Sequence, residues 1–325
     1  MVETITYGGI VTRILAPDRA GRVADVVLGF NDLGSYVAGS PYFGAIAGRV
    51  AGRISRAKFE LDGRTYKLFA NDPPNHLHGG MHGFDKKIWS ATPIDNGHGA
   101  VSLRLKYRSL DGEEGYPGTV DAAVTYTVTA DNKFVIESLA STDRPTPFAL
   151  THHSYFNLGG EGAGTIDNHE LQIEADEVVA VDEHMTLLGR LEAVTKGGND
   201  FRQPRCLGEA IPLLFQSHGD LYYIRKGSAG VGKSKPLTVA RLAHPDSGRV
   251  LELFTTESYF QLYTGSALDG TLTGKSGVPY ARHAGVCLEC EGYPDGANVP
   301  ELGDIILRPE SGQQQTTVYA FSVVA

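Results

Sequence analysis

From one end of the chain to the other, apolar and polar residues alternate with a period of two. Val101, Leu103, Leu105 and Tyr107 interleave with Ser102, Arg104, Lys106 and Arg108, and the same beat returns at 119–129, 133–141, 169–176, 249–257 and 316–324. Successive side chains of an extended backbone point to opposite faces, so this period belongs to half-buried strands. Between the runs lie LDGR, DGEEGYPG, NLGGEGAG, HPDSG and YPDGAN, clusters that supply positive φ and Asx or proline turn chemistry. Helical signals are sparse: 205–211 can make a short turn, bracketed by Pro204 and Pro212. With no strand–helix–strand rhythm, internal repeat or long linker, the expectation is an all-β chain. It reads as a single domain over 1–325, a large antiparallel β-sandwich of two packed sheets.

Composition narrows the function. Hydrophobic residues make up 41% and charged residues 21%, and no segment approaches the roughly 20 apolar residues that span a bilayer, which points to a soluble protein without a membrane partner. The N-terminal MVETITYGGIVTRIL lacks a basic stretch followed by an apolar run, and Cys206, Cys287 and Cys290 are too few and too odd in number for a disulfide framework. Both features suit a cytoplasmic location. A net charge of -9 repels phosphate backbones and argues against nucleic acid. The spacing of Gly227, Gly232, Lys233 and Ser234 matches a phosphate-binding loop, but Pro236 and the strand-like LTVARLAH follow where a helix is required, so a plain surface hairpin is the better reading.

Three groups of residues carry possible chemistry. His76, His78 and His82 in NHLHGGMHG could ligate a metal, since a His-x-His on a strand puts both rings on one face. They could equally be structural, or one could hydrogen-bond a substrate. In GVCLECEGYPD the alternation places Cys287, Glu289 and Glu291 on one face and Leu288 and Cys290 on the other. A carboxylate within an apolar strand is costly to bury unless it is paired or functional, the alternative being a solvated strand end, which weighs more for Glu291 beside the turn. The lone CxxC has no second ligand pair for zinc and reads as buried, unpaired thiols. In THHSYFNLGG, His152 and His153 must point to opposite faces, and the pattern does not choose between them. Tyr155 and Phe156 suit a sugar platform and core packing equally.

The segments 42–68, NHLHGG, EEGYPG, THHSYFNL, FQLYTGS and CLECEGYPDGANVPELGDIILRP resemble, in order, those of the aldose 1-epimerase or galactose mutarotase family. The resemblance implies a galactose mutarotase-like supersandwich and a cofactor-free, metal-free isomerase acting on a monosaccharide, as a monomer or homodimer. It implies His153 as general acid and Glu289 as general base, with Arg53, His78, Asp220 and Gln261 binding substrate. The chain departs from the usual pattern at Gly52 and His152, where Asn is common, at Leu221, where His is common, and at ECE around Glu289. Gly52 removes an amide, which bears on hydroxyl selectivity and leaves the identity of the sugar open. The competing readings are a non-catalytic sugar-binding or sugar-sensing protein using the same cleft, and a metal-dependent enzyme built on His76, His78 and His82.

Interconverting anomers requires a base at the C1 hydroxyl and an acid at the ring oxygen. Reference pKa values of about 4.3 for Glu and about 6.5 for His start Glu289 ionised at neutral pH. His153 must then hold a proton, which a nearby carboxylate favours and burial opposes.

Overall fold

The structure, a computed structural model, describes residues 1–97, 99–194, 197–224 and 235–324. Its largest element is a nine-stranded sheet in which Arg205–Cys206, Glu170–Ile173, Leu237–Ala243, Arg249–Thr255, Gln313–Val323, Lys133–Thr142, Val120–Val128, Val101–Ser109 and Ser90–Asp95 lie side by side. Every pairing in it is antiparallel. The alternating runs read from the sequence are its strands. At one end the alternation slips: Val101 is exposed, while Ser102 is buried against Thr127 Oγ1 at 2.6 Å and Asn96 Nδ2 at 2.5 Å.

A six-stranded antiparallel sheet packs against it, with the order Tyr155–Phe156, Val286–Glu291, Tyr259–Tyr263, Leu221–Tyr223, Glu177–Val181 and Leu187–Ala193. The shared core contains Leu288, Cys290, Phe260 and Tyr222 from this sheet and Tyr319, Phe134, Leu251 and Leu253 from the larger one. Buried polar groups tie the sheets together: Tyr319 Oη donates to the Leu288 carbonyl at 3.0 Å, and Gln315 Nε2 donates to the Cys290 carbonyl at 3.1 Å. Because Leu288 and Cys290 are committed to the core, Cys287, Glu289 and Glu291 must face the other way.

The turn expected at 205–211 is a one-turn helix, Leu207–Ala210, running into a 3-10 turn, Ile211–Leu213, that accepts Pro212 in its first positions. A second helix, Leu33–Ala38, is an addition to the sequence reading; the Asp32 side chain caps it by accepting the Ser35 N–H. No described helix is long and apolar enough to cross a membrane. The loop with Gly227, Gly232, Lys233 and Ser234 lies outside the described residues; the strand Leu237–Ala243 follows it, where a phosphate-binding loop would need a helix.

Candidate active site

On the outer face of the six-stranded sheet lies a cleft of about 290 Å³. Strand register assembles its floor: Glu289 is paired opposite Gln261, Gln261 opposite Leu221, and Cys287 opposite Tyr155. Glu289, Gln261 and Leu221 thus form a row across the sheet, and Asp220 immediately precedes the third strand and lines the same cleft. His153 follows the short strand Thr151–His152 and is pinned by its own N–H to the Ala45 carbonyl at 2.9 Å and by the Gly44 N–H to its carbonyl at 3.0 Å. A connecting segment closes the opposite wall with Gly52, Arg53 and His78, where Arg53 pairs with Leu77 in a short two-stranded ladder.

All six residues implied by the resemblance, Arg53, His78, His153, Asp220, Gln261 and Glu289, line this one cleft. The choice between adjacent histidines is resolved geometrically. His153 enters the cleft, with Nε2 3.5 Å from Glu289 Oε2 and Nδ1 3.5 Å from Cys287 Sγ. His152 points into the core, bonded through Nε2 to Ser154 Oγ at 2.7 Å and packed edge-on against Tyr126, Phe134 and Tyr319.

The competing metal reading of His76, His78 and His82 finds no support, since the three do not converge. His78 has a left-handed φ of 51°, which breaks the extended geometry needed for His76 and His78 to share a face. His76 Nδ1 bonds the Phe69 carbonyl at 2.8 Å, and His82 is exposed. Among the described residues, the donor atoms close enough for one cation are instead those of His78, His153 and Glu289, all within 4.8 Å of one another.

The backbone also sets the tautomer of His78. The Gly52 N–H donates to His78 Nδ1 at 3.2 Å, so in the neutral ring the proton sits on Nε2, where it is a hydrogen-bond donor. Burial, with neighbouring cationic groups, holds His78 well below the usual histidine range and so keeps the ring neutral. Arg53 is oriented by Asp72, which accepts from its Nε at 2.7 Å.

Electrostatics at the centre of the site depart from the reference values. Burial pushes Glu289 up to about 8, opposed by the Arg53 charge, and pushes His153 down to about 4. Burial thus favours the protonated Glu289 carboxyl, against the ionised start that the reference value gives, because desolvation outweighs the nearby charges. Asp220 rises to about 6 from burial alone. Glu289 Oε2, which faces His153 Nε2 at 3.5 Å, is buried without a hydrogen bond, as is Glu291 Oε2. Orphaned acceptors of this kind in a cleft call for a ligand.

Several cleft residues were not singled out from the sequence. Tyr42 places its ring 4.7 Å from His78 and 5.5 Å from His153, and Tyr263 lies 4.6 Å from His218. His218 lines the cleft two residues before Asp220, so the segment supplies a histidine although position 221 is Leu. Its spacing from Asp220 was the available signal. Glu291, read chiefly as a solvated strand end, is instead 1% exposed and faces the cleft. Tyr155 belongs to the cleft wall and Phe156 to the core.

Residues 1–320 match the family model for aldose 1-epimerase. The chain belongs to the aldose 1-epimerase family. It is 43% identical over 322 residues to the galactose mutarotase of Bos taurus, covering 99% of this chain and 91% of that one. Identity to the aldose 1-epimerase of Escherichia coli strain K12 is 33% over 337 residues, covering 99% and 92%. The structure superposes on an aldose epimerase homologue from C. elegans with TM-score 0.89 at 30% identity, covering 100% and 96%. The family membership thus extends over the whole antiparallel architecture.

Proposed function

We propose that this aldose 1-epimerase interconverts the α and β anomers of a free monosaccharide at the His153–Glu289 pair, by general acid/base ring opening and reclosure, within a single 1–325 domain. The observation that carries the reading is the buried, facing arrangement of Nε2 and Oε2 at 3.5 Å in a cleft of about 290 Å³, with His78, Arg53, Asp220 and Gln261 around it. A cleft of that size is at the small end for ligand sites and suits one sugar ring rather than a chain of them.

The protonation pattern fits the chemistry. Protonated Glu289 with neutral His153 carries the same number of protons as carboxylate Glu289 with imidazolium His153; the two differ by one proton transfer. A substrate hydroxyl donating to Glu289 and the Arg53 charge both favour the carboxylate, and a ring oxygen accepting from His153 favours the imidazolium. In that state Glu289 takes the proton of the C1 hydroxyl, His153 protonates the ring oxygen, and the C1–O5 bond breaks as C1=O1 forms to give the open aldehyde. After rotation about C1–C2 the groups exchange roles and the ring closes on the other carbonyl face. Each positioned proton transfer contributes about 100- to 10,000-fold.

Every residue in this scheme comes from one chain, so the reading is compatible with a monomer or a homodimer. Three free thiols, two of them buried, accord with a cytoplasmic setting. The test is optical rotation against time for freshly dissolved α-glucose and α-galactose. Protein should accelerate the approach to equilibrium in proportion to its concentration; sugar binding with no acceleration would identify a sugar-binding protein instead.

A further inference from the structure

We propose that Glu291 is a specificity-determining residue of this site, its carboxyl hydrogen-bonding a sugar hydroxyl remote from C1. The inference rests on the epimerase reading of the same cleft. Glu291 lies two residues beyond Glu289 on the same face of Val286–Glu291, about 6.6 Å along the strand. It therefore meets a different part of the ligand from the group that acts at the anomeric centre.

Its surroundings give it no structural employment. The side chain is 1% exposed, its Oε2 has no hydrogen-bond partner, and no ion pair to it is formed among the described residues. Arg53, the nearby cation, is engaged through Nε by Asp72. Burial pushes the Glu291 carboxyl well above the ordinary carboxylate range, with the neighbouring Glu289 and Glu257 adding to the effect. A neutral carboxyl offers one donor and an acceptor, the complement of a sugar hydroxyl, which also donates once and accepts.

Gly52 completes the arrangement. Its φ is +69°, and a Cβ there would lie 2.4 Å from Pro294 Cγ and 3.0 Å from Glu291 Oε1. The Gly52 backbone therefore packs closely on Pro294 and beside the Glu291 carboxyl, and position 52 itself contributes no side-chain polar group to that wall of the cleft. A hydroxyl that meets it relieves a buried unpartnered group; a sugar without that hydroxyl leaves it unpartnered again. Such a loss lowers kcat/KM by about tenfold to about a hundredfold.

The experiment measures catalysed mutarotation of glucose and of its 2-, 3-, 4- and 6-deoxy analogues, with the uncatalysed rate subtracted, for wild type, Glu291→Leu and Glu291→Gln. Wild type should penalise one of the analogues strongly through the Glu291 contact. Glu291→Leu should lose that one penalty to within about twofold, chiefly through KM, and keep the others. Replacing an unpartnered buried carboxyl by an apolar group of similar size is compatible with folding, to be verified by thermal denaturation. Glu291→Gln keeps a donor and an acceptor and should keep the penalty. Unchanged penalties in folded Glu291→Leu, a loss spread evenly over all four analogues, or loss of the penalty in Glu291→Gln would each overturn the assignment. Absence of catalysis by wild type itself would overturn the epimerase reading, a distinguishable result.

Discussion

Replacing Glu289 by Gln should make the protein inactive yet more stable, by an amount that depends on pH. Burial pushes the Glu289 carboxyl from its ordinary value of 4.5 up to about 8 in the folded cleft. Between those values the unfolded chain releases a proton that the folded state retains, so stability falls as pH rises through the window. The slope is about 1.4 kcal/mol per pH unit, which amounts to about 3 kcal/mol by pH 7 and about 5 kcal/mol above pH 8. Gln at 289 has no charge to desolvate and removes this dependence. For a chain of this length, ~3 kcal/mol corresponds to a Tm rise of about 5 °C at pH 7. Differential scanning calorimetry of both proteins from pH 5 to pH 8 reads the effect as a Tm difference that is small at pH 5 and widens steadily. A difference that stays constant across that range, or a variant less stable than wild type at pH 8, would show that Glu289 is ionised in the folded protein and would refute the desolvation argument.

The histidines titrate in the opposite sense. Burial lowers His152 to about 3 and His153 and His218 to about 4, below their ordinary value of 6.5, so the unfolded chain binds more protons in this range. The histidine contribution to stability therefore falls as pH drops from about 6.5 toward 4, opposite in sense to that of the raised carboxyls Glu289 and Asp220 over the same range. His153→Asn should lower kcat by about 100- to 10,000-fold with a small change in Tm, whereas His152→Asn should lower Tm while the folded fraction keeps its activity; the reverse pattern would mean the wrong histidine faces the sugar. An Ellman titration of native protein should find one accessible thiol, the half-buried Cys206, and all three only after denaturation, because Cys287 and Cys290 are buried. Zinc ions should inhibit mutarotation competitively with sugar through His78, His153 and Glu289, and EDTA should restore the rate; inhibition unaffected by sugar concentration would place the metal elsewhere.

The alternation read from the sequence transfers almost directly to the sheets, because period two is the physical consequence of extended backbone and one buried face. It also put Glu289 and Glu291 on the face opposite Leu288 and Cys290, as the core packing requires. What alternation could not supply was which face of a strand meets a cleft rather than water, since that depends on segments distant in sequence. Glu291 was accordingly underrated, and His152 and His153 were equivalent until tertiary contacts sent one into an aromatic core. The histidine cluster at 76–82 left three roles open, and the structure removes the shared metal face because His78 adopts a left-handed φ that no local pattern announces. Tyr42 and His218 reach the cleft from loops whose positions are set by packing. Burial likewise shifts the protonation of Glu289 and His153: reference values fix the starting point, but desolvation in a cleft walled by the outer face of the six-stranded sheet and the segments over it reverses the direction.

The central claim is that Glu289 exchanges the proton of the C1 hydroxyl with His153 as its partner, and its most direct measurement is the kcat of Glu289→Gln for mutarotation of fresh α-glucose or α-galactose. The variant keeps the shape and polarity of the cleft, so it should fold and still bind sugar, with kcat reduced by at least about 100-fold. A folded Glu289→Gln enzyme with a kcat within a few-fold of wild type would contradict the account, since the amide cannot accept the proton that opens the ring.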